Sequence, residues 1–322
     1  MSIDRRVVVG VEMASSKATV ALIDRRGLIV HRSLVRTLRG RSAYATLEPY
    51  LDAIDTMIAY AHAQRRRVCG IGVSIPGLLD ATAQKPLSIP TLPALNGTPL
   101  QNILQRRYKL PTRLFVDVDA AVMGEYHFGA GQGVPRLLFL TVNAVVGASL
   151  VKNGLVEATE LQSSVGHVCH LPISTNGPRC SCGKYGCINT LLSFDAMQRT
   201  VQRALRRGEE STLAQRILNR EYFSLQMLSE EALRGDSVAL KVYSELGRWL
   251  SSAVTKYAAL FEPDALMLGG SIVQNNELLL TQVRNTLVSA TSSSTNIATT
   301  VKLLSATLGS DAALVGVAAS LF

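Results

Sequence analysis

The sequence lacks an uninterrupted apolar run of membrane-spanning length, although 47% of its 322 residues are hydrophobic. A helix that crosses a bilayer needs roughly 20 consecutive apolar residues, so a transmembrane protein is not expected. A signal peptide is not recognisable either, because residues 1–6 lead into a strand-like run instead of a long apolar helix. The hydrophobic content suffices for a large core, which at this length predicts two domains.

Acidic residues are scarce relative to basic ones, with 24 Asp and Glu against 33 Lys and Arg, which gives a net charge of +9. A nucleic-acid face would concentrate the basic residues and interleave them with aromatic residues, which make up only 5% of this sequence. The arginine clusters are spread along the sequence at turns and helix ends. This spread favours a solvated surface over a binding patch. The clusters are residues 5–6, 25–26, 65–67, 106–107 and 206–207.

Cysteine is also rare, but four of the five cysteines lie close together, between residues 169 and 187. Clustered cysteines in a sequence without a secretion signal indicate a reducing compartment, so we expect a cytoplasmic protein. The segment 164–189 reads SVGHVCHLPISTNGPRCSCGKYGCIN and contains two closely spaced histidines.

Three thiols and one imidazole in this segment match a Cys₃His metal site. Cys180, Cys182 and Cys187 lie within eight residues, and His167 precedes them. Such a set suits tetrahedral zinc, and with all four ligands bound it leaves no position for a catalytic water. We therefore predict a structural zinc ion.

Other interpretations of this cluster are ordinary buried cysteines, disulfides or a redox pair. Cys169 and His170 are alternative ligands, and the fourth ligand is therefore less well defined than the three cysteines.

The order of strand-like and helix-like patterns occurs twice along the chain. In the first half, apolar β-branched runs and a turn predict a β-meander, which is followed by a helix and a buried strand. In the second half, a hairpin, several helices and another buried strand repeat the plan, and Asp311 is placed to cap a final helix. The predicted strands are residues 7–11, 18–23, 28–30, 68–74, 114–116, 137–142, 147–151 and 265–268.

The repetition predicts a duplicated α/β architecture with a cleft between two domains, where ligands usually bind. We expect residues 1–118, completed by a helix over 311–322, to form the N-terminal domain. Residues 119–310 would form the C-terminal domain, which carries the metal motif.

Five stretches together resemble one known family, the ROK family of bacterial sugar kinases and sugar-responsive repressors. They are GH, CSCGKYGC, LMLGG, SIPGLLD and DAAVMGEYHFG. The resemblance implies the actin-like ATPase (ribonuclease H-like) fold, in which two domains close over sugar and nucleotide. It also implies that the metal is a structural zinc and that dimers or tetramers are common.

The phosphate loops depart from the pattern of the family's kinases. The first loop of the kinases reads Asp-x-Gly-Gly-Thr-Lys, whereas residues 12–17 read EMASSK. Both glycines are absent, and the lysine is retained as Lys17. The second loop is glycine-rich in the kinases, but residues 143–149 read NAVVGAS and retain only Gly147. Val145 and Val146 are β-branched and resist the positive φ angles of an anion-binding loop.

Other remnants of the kinase pattern are Gly269 and Gly270 in the nucleotide region and Asp117 at the position of the catalytic base. An aspartate there can accept a proton from a sugar hydroxyl during phosphoryl transfer. Alternatively, Asp117 or Asp119 caps the following helix.

The sugar-binding positions that the resemblance implies are largely changed. An asparagine and two glutamates of the family correspond to Val116, Ser164 and Asn189 in this sequence. Of the set that these three positions form with His167, only His167 is retained. Asn96 and Gly97 resemble the family's sugar-proximal loop and read equally well as a turn.

These departures lead us to expect a non-catalytic sugar-sensing or transcription-regulator-like protein. The alternative is an ATP-dependent kinase of hexoses or N-acetylhexosamines, which would require ATP and Mg²⁺. We expect a homodimer, a possible sugar or sugar-phosphate ligand and a possible protein partner. Direct DNA binding is not expected, because the first strand begins close to Met1 and no helix-turn-helix motif precedes it.

Overall fold

The computed structural model describes residues 4–14, 17–38, 40, 42–80, 82–143, 145–157, 169–274, 276–292 and 301–322, with side chains except at 278 and 287–292. The chain divides into two compact units. Unit 1 comprises residues 1–135, 149–165 and 306–322, and unit 2 comprises residues 136–148 and 166–305. In the described part of the chain, every helix is too short or too polar to cross a membrane.

Unit 1 contains a five-stranded sheet in the order β3-β2-β1-β4-β7. Its first three strands form an antiparallel meander, and β4 and β7 continue the sheet parallel to β1. A two-stranded hairpin, β5–β6, follows β4. The strands are β1 (Arg6–Glu12), β2 (Lys17–Asp24), β3 (Ile29–Arg36), β4 (Arg67–Ile75), β5 (Leu78–Leu79), β6 (Pro86–Ser88) and β7 (Thr112–Val116).

Helices pack on both faces of this sheet, which explains why its central strands are apolar at nearly every position. Val7, Val9 and Val11 of β1 belong to the core that includes α1 (Ala43–Ala63) and α2 (Leu100–Tyr108). On the opposite face, Val8 packs with Leu314 of α10 (Ala312–Ala319). Beside α10 lies α3 (Asp117–Phe128).

The contact between α3 and α10 is close because glycines face it. A Cβ atom at Gly316 would collide with the carbonyl oxygen of Ala120, and one at Gly124 would collide with that of Ala312. The buried carboxylate of Glu125 also accepts hydrogen bonds from the backbone N–H groups of residues 307 and 308, each at 2.7 Å. These contacts hold the C-terminal segment in unit 1.

A second five-stranded sheet has the strand order β10-β9-β8-β11-β12. The chain passes from unit 2 to unit 1 within β9, after Ala148. The strands are β8 (Arg136–Val142), β9 (Val146–Lys152), β10 (Leu155–Val156), β11 (Ala265–Gly269) and β12 (Lys302–Ser305). The strand order matches that of unit 1, as the predicted duplication requires.

Six helices accompany the second sheet among the described residues. The longest, α8, is buried along one side. It is followed by Glu262, which adopts a left-handed φ of 44° and precedes Pro263. The helices are α4 (Ile188–Leu192), α5 (Phe194–Arg206), α6 (Thr212–Leu218), α7 (Leu225–Leu233), α8 (Ser237–Phe261) and α9 (Glu277–Ser292).

Some elements differ from the sequence-based prediction. The predicted domain break after residue 118 falls inside α3, and unit 1 continues to residue 135. The helices α6 and α7 were not anticipated, because each is short and the segment between them is polar. Asp311 was expected to cap α10 with its side chain, but a 3₁₀ turn that ends at Asp311 precedes that helix. The carboxylate of Asp311 accepts a hydrogen bond from Arg32 at 2.6 Å instead of capping the helix.

Candidate functional site

Four side chains of unit 2 converge on one point that could hold a metal ion. They are His170, Cys180, Cys182 and Cys187, and their ligand atoms all lie within 4.8 Å of one another. The Sγ atoms of Cys182 and Cys187 are 3.6 Å apart. Two sulfurs bound to one tetrahedral zinc at about 2.3 Å would be roughly 3.8 Å apart, so this spacing fits a shared cation.

A short hairpin brings the three thiols together. Backbone N–H groups of Cys180 and Gly183 donate to the carbonyls of Lys184 and Cys180, at 2.8 and 3.0 Å. At Gly186 the chain adopts a φ of +61°, and a Cβ atom there would collide with the carbonyl oxygen of Ser174. The glycine therefore lets the chain turn back tightly before Cys187.

Burial and neighbouring sulfurs oppose ionisation of the Cys187 thiol when no cation is bound. Burial, together with the neighbouring sulfurs of Cys182 and Cys180, raises the pKa of the Cys187 thiol to about 12. A metal ion would displace these protons and neutralise the thiolates. All five cysteines are free thiols, so the disulfide interpretation does not hold in this structure.

Among the residues that the structure describes, the fourth member of the group is His170, whereas the sequence favoured His167. The Nδ1 atom of His170 lies 3.1 Å from the Sγ of Cys180. The predicted ligand His167 and the sugar-site position Ser164 both lie outside the described residues. Cys169, the other alternative, is buried and adjacent to His170 but does not belong to the four-residue group.

In the glycine-poor segment 143–149, the side chain of Asn143 forms hydrogen bonds that close the segment against its neighbours. The amide oxygen of Asn143 accepts hydrogen bonds from the backbone N–H and the hydroxyl of Ser271, at 2.7 and 3.0 Å. Its amide nitrogen donates to Thr141 Oγ1 at 3.0 Å. Val145 is 57% exposed, whereas Val146 is buried. The N–H group of Ser271 is therefore already paired within the protein.

A second side chain fixes the same segment from the metal loop. The amide oxygen of Asn189, two residues after Cys187, accepts a hydrogen bond from the backbone N–H of Val146 at 3.1 Å. Gly147 follows Val146 in β9 and is partly buried. A backbone donor of the segment is thus occupied by the protein itself.

Gly269 and Gly270 end β11 beside this segment, and packing explains Gly270. Its φ is +93°, and a Cβ atom would come within 2.5 Å of the carbonyl oxygen of Val142. Gly269 pairs with Thr141 in the sheet. The predicted nucleotide remnants Gly147, Gly269 and Gly270 therefore come together in unit 2, and Lys17 lies in unit 1 as the exposed first residue of β2.

Carboxylates gather within unit 1 where the parallel strands β1 and β7 end. Burial, with smaller contributions from the charges of Asp311 and Asp117 and against the opposing charge of Arg32, raises the pKa of Glu12 to about 7. Burial also raises the pKa of Asp117, although the N–H group of Val118 donates to its carboxylate at 2.8 Å. Burial therefore disfavours the charged form of Asp117.

The neighbouring Asp119 has a different environment. Its carboxylate accepts a hydrogen bond from the hydroxyl of Ser149 at 2.6 Å. Burial raises its pKa to about 6, the Ser149 hydrogen bond lowers it, and the charge of Asp117 raises it. Asp117 is the first residue of α3, and Asp119 also lies in the first turn of that helix, where carboxylates interact favourably with the helix dipole.

The model of the ROK family matches residues 8–322 of this chain. The chain belongs to the ROK family. The two halves of the structure therefore correspond to the actin-like ATPase fold that ROK sugar kinases and repressors share.

Relatives of both functional classes of the ROK family are similar to this chain. A glucokinase of Halalkalibacterium halodurans is 25% identical over 313 residues, which cover 97% of this chain and 93% of the glucokinase. The DNA-binding transcriptional dual regulator NagC of Escherichia coli is 25% identical over 277 residues, which cover 86% of this chain and 66% of NagC.

Solved structures give the same mixture of ROK proteins. A glucokinase from Streptomyces griseus in complex with glucose and AMPPNP has a TM-score of 0.76 and 27% identity, covering 98% of this chain and 99% of that one. A ROK transcriptional regulator, a homologue of Escherichia coli MLC, has a TM-score of 0.85 and 24% identity, covering 97% and 77%. Neither sequence similarity nor fold therefore decides between kinase and regulator.

The ROK sugar-binding positions in the described residues have structural roles. Val116 ends β7 and is 7% exposed, so this buried aliphatic group cannot bond a sugar hydroxyl. Asn189 already binds Val146. Asn96 accepts a hydrogen bond from the N–H of Ile89 at 2.8 Å, and the N–H of Gly97 donates to Pro86 at 2.7 Å.

Sequence reasoning missed the residues that close segment 143–149. It identified Asn143 and Asn189 as losses from a family pattern and did not anticipate what the new side chains bind. The signal available was chemical: both replacements are asparagines, whose amides readily pair with backbone groups. Each asparagine is far in sequence from its partner, Ser271 for Asn143 and Val146 for Asn189, and only the folded chain identifies these pairs.

Proposed function

We propose that this ROK protein does not transfer phosphate and acts as a sugar-sensing or transcription-regulator-like protein. The observation that carries the proposal is the hydrogen bond from the Ser271 N–H to Asn143. Anion-binding loops offer unpaired backbone N–H groups to phosphate oxygens. In this chain the N–H of Val146 in the corresponding segment is paired with Asn189, and the N–H of Ser271, which follows Gly270, is paired with Asn143 of the segment.

The sugar side supports the same proposal. A site that recognises hydroxyls depends on buried polar partners, and removing them costs several kcal/mol of binding. Val116 has no polar group, and Asn189 is engaged elsewhere. A ligand of this protein would therefore be held by a different set of contacts from those of the family's kinases.

The second candidate is an ATP-dependent sugar kinase that uses ATP and Mg²⁺. Asp117 favours it, because this carboxylate directly follows β7 and burial raises its pKa, which makes it a stronger proton acceptor. The glucokinase relatives, which match this chain over nearly their full length, favour it as well.

Calorimetry with ATP–Mg²⁺, hexoses, N-acetylhexosamines and their phosphates, run beside a coupled kinase assay, separates the two functions. We expect no nucleotide binding and no turnover, and we expect heat of binding for at least one sugar or sugar phosphate. Asn143→Ala is the matched variant, because it frees the Ser271 N–H group without touching Asp117. Sugar phosphorylation by the natural protein that is lost in Asp117→Asn would establish the kinase instead.

We also propose that the Cys₃His group holds one structural zinc ion, with His170 as the fourth ligand. The proposal is supported by the ligand spacing and by the tetrahedral preference of zinc for this donor set. The metal would fix the hairpin that positions Asn189, and so would maintain the closed segment 143–149. A homodimer and a cytoplasmic location stay predictions.

A further inference from the structure

Three arginine clusters that are far apart in the sequence meet at one end of the sheet of unit 1. β2 runs antiparallel to β1 and ends at Asp24, the register partner of Val7. β4 runs parallel to β1, and its first residue, Arg67, is the register partner of Arg6. The strand ends are neighbours at about 4.8 Å spacing. We call this end the arginine edge; it consists of Arg5, Arg6, Arg25, Arg26, Arg65, Arg66 and Arg67.

Most of the positive charge of the arginine edge is not neutralised. Residues 4–6, 24–27 and 64–67 contain two carboxylates, Asp4 and Asp24. Asp4 pairs with Arg6 at 2.8 Å and with Arg25 at 3.7 Å, and Asp24 pairs with Arg26 at 3.0 Å. The other four arginines have no ion pair with any residue that the structure describes, and they are Arg5, Arg65, Arg66 and Arg67.

The backbone holds one of these arginines in an unfavourable conformation. Arg65 follows the end of α1 with a φ of +54°, and the N–H of Arg66 donates to Ala61 at 2.8 Å. This is the left-handed position after a helix that glycine fills most easily.

We propose that the arginine edge binds the phosphodiester backbone of duplex nucleic acid without reading its sequence. The guanidinium group offers paired N–H donors that match two phosphate oxygens. Three neighbouring strand ends span about 10 Å. A duplex presents one negative charge per roughly 1.7 Å of its axis with both strands counted, so a 10 Å length carries about six phosphates, about three on each strand. The four uncompensated arginines can therefore all find partners.

The composition of the edge favours a duplex over a single strand or a membrane. Single-strand sites stack bases on aromatic rings, and residues 4–6, 24–28 and 64–67 contain no aromatic side chain. Membrane surfaces are bound by amphipathic segments with a broad apolar face. The exposed large hydrophobic side chain in these segments is Leu28, at 54% exposure. The inference does not depend on whether the protein is a kinase or a regulator.

Fluorescence anisotropy with a labelled 20-base-pair random DNA duplex, over a range of salt concentrations, tests this proposal. We expect log K to fall with log salt with a slope of roughly −3 to −4, as four phosphate contacts require. The triple variant Arg65→Gln, Arg66→Gln, Arg67→Gln should bind at least about tenfold more weakly and lose about three units of slope. Arg25→Gln with Arg26→Gln should have a smaller effect, because Asp4 and Asp24 already pair with these two arginines.

The charge-matched control is Arg206→Gln, Arg207→Gln, Arg220→Gln, which removes three exposed arginines from unit 2. We expect it to bind duplex like the natural protein, and circular dichroism should give the same melting curve for both triple variants. Equal loss in the control would show that net charge alone is responsible and would overturn the proposal. So would tighter binding to single-stranded DNA, to anionic phospholipid vesicles or to a poly-glutamate peptide than to the duplex.

Discussion

Glu12 illustrates how one substitution in a phosphate loop changes the electrostatics of a whole site. It occupies the end of β1, and its carboxylate lies among the charges of Asp117 and Asp311. No phosphate or metal is needed to explain why its pKa is about 7, since burial and like charges suffice. The protein therefore accepts a cost in stability to keep a carboxylate at this position.

The cost predicts a pH-dependent gain from Glu12→Gln. Because the folded pKa is raised from 4.5 to about 7, the folded protein retains a proton that the unfolded chain releases within this window. Stability of the natural protein thus falls as pH rises from 4.5 to 7. We expect the variant to be more stable by up to about 3 kcal/mol above pH 7 and no different below pH 4.5.

Urea denaturation at pH 4.5, 6 and 8 measures this difference. Glu48→Gln, at an exposed position of α1, is the matched control and should change stability little at any of these pH values. A Glu12→Gln variant that is destabilised at pH 8 would mean that the ionised carboxylate has a favourable partner instead.

At the scale of elements, the metal loop and segment 143–149 depend on each other through Asn189. The hairpin of the cysteines contains few apolar side chains, and Cys182 and Tyr185 are exposed. Such a loop cannot be stabilised by a hydrophobic core of its own, so a bound ion would provide much of its stability.

We expect the purified protein to contain about one zinc per chain and chelation to lower the melting temperature by about 10 °C or more. His170→Ala and Cys180→Ser should lose the metal, and Cys69→Ser, in β4 of unit 1, should retain it. Elemental analysis and thermal scanning measure both effects. If His167→Ala loses the metal and His170→Ala keeps it, His167 is the ligand; a metal-free protein of unchanged stability would refute the site.

At the scale of the whole molecule, the chain forms two five-stranded sheets, and its C-terminal segment returns to unit 1. The packing of α10 on α3 makes this return possible, because Gly124 and Gly316 let the helix backbones come close. An alanine normally stabilises a helix relative to glycine, by up to about 1 kcal/mol. The sign of a glycine-to-alanine substitution therefore reports on whether the close contact matters.

We expect Gly316→Ala to destabilise the protein by about 3 kcal/mol, since the new methyl group would collide with the backbone at Ala120. Gly247→Ala in α8 is the matched control, because its methyl group would meet only the flexible end of Gln282. Hydrogen exchange should increase in α3 and α10 of the first variant and remain unchanged in α8. Equal stability of the two variants would contradict the close packing.

Much of the fold follows from local sequence. The apolar runs at residues 7–11 and 68–74 predicted β1 and β4, because buried parallel strands need nonpolar side chains on both faces. Helical spacing predicted α1, α5 and α8. The extents of β3, α6 and α7 were not predictable, since packing between distant segments, and not local propensity, decides them.

The sequence by itself determined the family, the duplicated plan and the spacing of the three cysteines, because these depend on residues close together in the chain. Tertiary structure alone decided the rest. Asn143 is hydrogen-bonded to Ser271, which is 128 residues away in the sequence, and Asn189 is hydrogen-bonded to Val146, which is 43 residues away. These bonds close a segment that lacks most of the glycines of the family's kinases. In the same way, strand register gathered scattered arginines into one edge. Partners of this kind depend on chain topology, which no local pattern encodes.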